Sequence, residues 1–176
     1  MRAPIGSFDD ALPATERREL LPAPVAAAVT ADMVHVDTDP DKADTADFVL
    51  AYGRELLEQS ANCVVVAGKR GGEVTLAACV VLSTTRVDVN GTVRRHLGAR
   101  KASFAPMDTA VSATGMEYGG ITPVGLPDGW PLLVDAAVAE KPYVVIGSGA
   151  RRGKLIVPGK LVASLPGAVL LDGLGV

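Results

Sequence analysis

NCVVVAGKRGGEVTLAACVVL, residues 62–82, decides the fold class. Two apolar runs rich in Val and Ala flank Lys69, Arg70, Gly71 and Gly72. Apolar runs of this length, bounded by glycines, read as strands. A Gly-Gly pair supplies the two positive-φ residues of a tight hairpin turn. So few polar side chains interrupt the runs that the strands belong to a sheet covered by helices.

On the C-terminal side, DVNGTVRRHLG (88–98) predicts a short helix stopped by Gly98, with Arg94, Arg95 and His96 complementing the dipole of its last turn. KASFA (101–105) predicts a strand. PMDTAVSATG (106–115) predicts a helix capped by Asp108 and ended by Gly115. The apolar runs in GGITPVG, PLLVDAAV, YVVIGSG, KLIV and AVLLDG are too short for helices and are bounded by Gly or Pro; a last short helix over KLVASL follows Pro158-Gly159. On the N-terminal side, Thr45 is placed to cap a helix over 46–59, and MVHVD (33–37) predicts an edge strand carrying His35. Leu20, Leu21, Val25 and Val29 predict two short helical pieces around Pro22 and Pro24. Residues 1–12 show no periodicity and are expected to form a flexible tail, leaving one α/β domain over 13–176. A chain of 176 residues buries a core of that size without disulfides or metal.

Bulk chemistry narrows the function classes. Cys63 and Cys79 sit inside the apolar runs with no Cys/His cluster beside them, so they read as buried thiols of a reducing cytoplasm, and no metal or cofactor is expected. No apolar stretch approaches about 18 residues, so no membrane partner is expected. Nor does the N-terminus carry a basic segment followed by an apolar one, as a secretory signal would. Net charge is −3, too low in magnitude for a general nucleic-acid binder. The basic residues are nevertheless grouped: Arg86, Arg94, Arg95, Arg100 and Lys101 in one segment, and Lys141, Arg151, Arg152, Lys154 and Lys160 in another. Such grouping suits either two solvated faces or a local platform for phosphates.

Familiar catalytic signatures are missing. The chain contains no GxSxG, HExxH or Walker lysine loop, and no GxGxxG at a strand–helix junction. Two glycine loops carry the information instead. In the first, Gly119 and Gly120 are followed by Pro123; in the second, Gly147-Ser148-Gly149 precedes Arg151 and Arg152. Glycine lets the backbone approach a ligand closely, and exposed N–H groups in a rigid loop can stabilise the oxyanion of an ester under attack. The same loops also serve as ordinary tight turns.

In order along the chain, KASFA (101–105), TGMEYGGITPVG (114–125), Val134-Asp135, VVIGSGARR (144–152) and PGKL (158–161) resemble the YbaK/prolyl-tRNA-synthetase-associated domain family of aminoacyl-tRNA editing proteins. The resemblance covers roughly residues 60–176, and its strongest piece is TGxxxGGxxPxG. It implies a mixed sheet curled toward a barrel and surrounded by helices, with a cleft for the 3′-terminal adenosine of tRNA and its aminoacyl ester. It implies a hydrolase, an aminoacyl-tRNA deacylase acting in trans on a mischarged small amino acid and serving translation fidelity. Gly119, Gly120 and Asn62 would hold the catalytic positions. Pro123 would face the aminoacyl group, and Lys101, Asp135, Gly147, Ser148, Gly149 and Arg151 would bind the adenosine and phosphate side. The implied partners are the tRNA acceptor end and an aminoacyl-tRNA synthetase, with the protein a monomer or a homodimer. One departure opens an alternative: family members start the strand of NCVVV with a lysine that positions the substrate, and this chain has Asn62. An amide donates hydrogen bonds but carries no charge, so a non-catalytic nucleotide or aminoacyl-adenosine binding module is the second expectation.

Overall fold

The computed structural model describes residues 1–176. Nine strands and six short helices follow one another as β1 (Ala11–Pro13), α1 (Ala23–Ala28), β2 (Val34–Val36), α2 (Thr45–Tyr52), β3 (Ala61–Arg70), β4 (Glu73–Leu82), α3 (Arg94–His96), β5 (Lys101–Phe104), α4 (Met107–Thr114), β6 (Leu132–Asp135), α5 (Ala136–Ala139), β7 (Val144–Gly147), β8 (Lys154–Val157), α6 (Gly159–Val162) and β9 (Ala168–Leu171). Gly71 and Gly72 close the β3–β4 hairpin at φ 56° and 81°, a pair of values that side-chain-bearing residues adopt only with strain. Gly115 ends α4 in the left-handed conformation, at φ 70°.

The expectation of a single sheet curled toward a barrel is corrected. Hydrogen bonding divides the strands into a five-stranded sheet, β5-β3-β4-β6-β9, and a four-stranded sheet, β1-β2-β8-β7. They meet at one corner, where Val145 N–H donates to Gln59 O at 2.8 Å and Ser60 forms a single parallel bridge with Val145. The physical reason lies in β5. It pairs with β3 only from Val66 to Lys69, and the ladder ends with Ala105 N–H donating to Val65 O at 2.9 Å. The next residue is Pro106, which has no N–H to continue the ladder and instead stands at the start of α4. The outer edge of β3 from Ala61 to Val64 is therefore left without a strand partner.

Side-chain alternation on β4 fills both faces of the five-stranded sheet. Ala78, Val80 and Leu82 join Leu132, Val134, Ile146 and Leu155 in the core between the sheets. Ala77, Cys79 and Val81 meet Val87, Val89, Val93 and Leu174 on the other side. A third cluster, with Val36, Phe48, Leu56, Val145 and Ile156, seats α2 on the four-stranded sheet.

Several local expectations are corrected. The helix expected over 46–59 breaks at Gly53 (φ 139°) into α2 and a 3-10 turn over Arg54–Leu57. Thr45 is the first helical residue and Asp108 lies in the first turn of α4, and neither caps its helix. β2 is an interior strand between β1 and β8, and it buries His35 completely. Residues 115–125 form an extended loop with no strand. Residues 1–12, read from sequence as a tail, lie against the domain: the terminal amino group donates to Ala11 O at 3.2 Å, and Phe8 stacks on Tyr52 at 5.2 Å between ring centroids.

Candidate active site

The unpartnered edge of β3 opens onto a cavity of about 320 Å³, in the range of small-molecule sites. Asn62, Cys63, Val64 and Val65 form its β3 wall. Tyr118, Gly119 and Ile121 enter from the long loop, Val145, Ile146 and Gly147 from β7, Phe48 from α2, and Lys154 from β8. The two glycine loops thus converge with Asn62 on one concavity.

Their contact is through backbone. Gly149 N–H donates to Gly120 O at 2.7 Å, and Glu117 N–H donates to Gly149 O at 2.8 Å. Ser148 Oγ lies 3.0 Å from the carbonyl oxygens of both Ala150 and Arg152, within reach of donating its one proton to either, and accepts from Ala150 N–H, which makes it the buried pin of its turn. Gly120 is buried and its own N–H is spent on Glu117 O at 3.0 Å. The N–H groups of Tyr118, Gly119 and Ile121, by contrast, make no hydrogen bond within the chain. Of these, Gly119 is exposed, adopts φ 87° and lines the cavity with no side chain of its own.

The expected binding residues separate into groups. Gly147 lines the cavity. Arg151 stands at its rim: its guanidinium occupies the space a side chain at position 119 would take, and its Nη2 donates to Pro40 O at 3.4 Å. Pro123 and Gly149 are buried behind the loops, Gly149 against Pro22 and Val25. Asp135 is buried at the end of β6 and accepts from Gly175 N–H at 3.2 Å, outside the cavity. Lys101 is exposed and pairs across β5–β3 with Lys69, also outside it. A second groove, lined by Arg86, Val87 and Asn90, shares Asn62, Val64 and Phe104 with the cavity.

Sequence reasoning passed over Lys154, which it counted only as part of a basic segment. Its Nζ donates to Ala43 O at 3.3 Å and lies 5.5 Å from the centre of the Phe48 ring. Burial, then the charge of Arg151, lowers its pKa from the ordinary lysine value. Burial also pushes the Cys63 thiol far up, so it is a neutral wall group rather than a nucleophile. Behind the cavity Arg152 clamps Asp37 through two hydrogen bonds of 2.7 Å, and that bonding holds the Asp37 carboxyl below the usual range.

Residues 40–164 match the aminoacyl-tRNA editing domain family. Among solved structures, a proposed trans-editing enzyme for prolyl tRNA synthetase superposes with a TM-score of 0.72 at 21% identity, over 92% of this chain and 97% of that one. The hypothetical protein APE2540 superposes with a TM-score of 0.62 at 23% identity, over 74% of this chain and 82% of the other. At these identities the likeness is one of fold. No curated protein sequence matches the chain.

Proposed function

The chain belongs to the aminoacyl-tRNA editing domain family, and from that premise we propose that it is a deacylase hydrolysing the ester of a mischarged small amino acid on tRNA. The observation that carries this reading is the convergence of Gly119, Gly147 and Asn62 on one cavity, with unspent N–H groups in the loop above it. In the proposed reaction the 3′-terminal adenosine enters along the β3 edge and presents its ester to the loop. Water attacks the carbonyl carbon, the carbonyl oxygen becomes an oxyanion held by the N–H of Gly119, and the ribosyl oxygen leaves with a proton. Products are a free amino acid and deacylated tRNA. No Asp, Glu or His lines the cavity, and in this reading the substrate's free ribose hydroxyl relays the proton, accepting it from the attacking water as it gives its own to the departing ribosyl oxygen.

In this reading Gly120 and Pro123 shape the loop and Asn62 orients the ester. Arg151 meets a phosphate, and Arg86 extends the path along the second groove. Ile121, Val145 and Ile146 bound the space for the amino acid, which favours a small side chain. The domain works in the cytoplasm on the tRNA acceptor end, and operates in the context of an aminoacyl-tRNA synthetase. A panel of matched and mismatched aminoacyl-tRNAs, scored for ester hydrolysis, tests the proposal; hydrolysis of none of them would sink it. The second reading, a binding module for aminoacyl-adenosine, is favoured by Asn62 itself, an exposed amide whose partner within the chain is Ser83 Oγ at 3.5 Å. The same panel separates the two.

A further inference from the structure

Lys154 is the one charged residue among those lining the cavity, and most of its neighbours there are apolar. It projects from β8, an interior strand of the four-stranded sheet, whereas Asn62 comes from β3 of the other. No carboxylate neutralises it: the two ion pairs of the chain are Arg17–Asp10 and Arg152–Asp37. Of the three donors of an ammonium group, one is spent on Ala43 O, and two remain. An unpaired, part-buried ammonium is unfavourable in the free protein, and a Met or Leu would cover Phe48 without that cost. Ala43 O and the Phe48 ring meet the ammonium within the chain, and a negatively charged oxygen brought from outside would take up the two remaining donors.

We propose that Lys154 is the substrate-positioning cation of this pocket, holding a negatively charged oxygen of the aminoacylated 3′ end. The proposal rests on the deacylase reading and adds a residue that the glycine loops do not supply. Two oxygens share this chemistry: a phosphate oxygen of the terminal nucleotide, present in the ground state, and the oxyanion that develops at the ester. The first makes Lys154 a determinant of binding, the second of turnover.

The test compares wild type, Lys154→Met, and Lys154→Met combined with Asn62→Lys, each shown by its thermal melt to be folded. Deacylation kinetics are measured beside calorimetric titrations with AMP and with adenosine. If Lys154 holds a phosphate, wild type binds AMP more tightly than adenosine, Lys154→Met abolishes that preference, and KM rises about 10–100-fold with kcat held, as for a lost hydrogen bond to a charged group. If it holds the oxyanion, AMP and adenosine bind alike, and kcat falls by that factor with KM held. Recovery of either loss by a lysine at position 62, which lines the same cavity, supports a role for charge rather than for wall filling. A Lys154→Met protein whose AMP preference, kcat and KM all stay within about twofold of wild type overturns the proposal. Should that variant not fold, Lys154→Gln, which keeps a donor for Ala43 O, replaces it. If wild type hydrolyses no aminoacyl-tRNA, the deacylase reading falls and the titrations alone decide Lys154. An AMP preference lost in the variant then supports the proposal, and its absence from wild type overturns it.

Discussion

Gly147 presses its α-carbon against the carbonyl of Gly120: a β-carbon at 147 would fall 2.5 Å from the Gly120 oxygen and 2.6 Å from that of Ile121. Both neighbours are backbone, so no side chain can swing aside. Gly147→Ala is expected to separate the two loops, lowering stability by about 1–3 kcal/mol, as overpacking does. Displacing the Gly119 N–H should also reduce deacylation by roughly 10²-fold. Gly71→Ala is the contrast, since nothing lies within 4 Å of its β-carbon position and the strain is that of φ alone. It should lower the melting temperature slightly and leave kcat unchanged. Equal effects of the two substitutions on kcat would refute the assignment of the loops.

Buried His35 gives stability a pH dependence. Arg17 Nη1 donates to its Nδ1 at 3.3 Å, so the proton sits on Nε2, which finds no partner. Burial, then Arg17, lowers its pKa from 6.5 to about 4. The folded protein therefore resists protonation at a group the unfolded chain protonates readily. Stability is complete above pH 6.5 and declines as pH falls toward about 4, by a total on the order of 3 kcal/mol. Denaturant melts across that range should show the decline in wild type and not in His35→Gln. Parallel curves for the two proteins would contradict it.

Arg151 beside Gly119 and exposed Arg86 in the adjoining groove are cations outside the cavity itself, placed to meet phosphates of a bound strand. Alanine at either position should weaken tRNA binding and reduce the salt slope of log K by about 1. Lys101→Ala, away from the cavity, should do neither. Filter binding between low and moderate salt measures this, and a slope unchanged in all three variants would remove tRNA from the list of ligands.

Asn62→Ala removes an exposed amide but no charge, so deacylation should fall by about tenfold or less, well short of the loop variants. Asn62→Lys in the wild-type background places a second ammonium in a cavity that already holds Lys154. Mutual repulsion should lower the pKa of both, so the contribution of the protonated ammonium groups to activity should be lost at a lower pH than in wild type as pH rises, most clearly at low salt. An Asn62→Ala protein as impaired as Gly147→Ala would make the amide, not the loop, the principal catalytic element.

Local features were legible because neighbouring residues determine them. The Gly71-Gly72 turn, the strand at 101–104 and the helix stop at Gly115 all follow from residue types within a few positions. The partition into two sheets was not legible, because it depends on where β5 stops pairing and on one bridge between Ser60 and Val145. Lys154 escaped for the same reason: Ala43 and Phe48, which give it its setting, lie more than a hundred residues earlier in the chain. In the sequence it is one basic residue among several at the start of an apolar run. His35 looked like an edge residue because β1, which covers β2, is only three residues long and carries no periodic signal.

Pro106 acts as the slider of a zipper stalled part-way. Above it β5 and β3 are closed tooth to tooth; below it the fabric of the sheet hangs open, and the gap is where a guest molecule can reach the lining. Shifting that imino acid further along the chain would let the seam run shut over Asn62 and erase the cleft without altering one residue of its walls. The open edge of β3 is thus set by a backbone nitrogen that lacks a hydrogen, at a position outside the walls of the cavity.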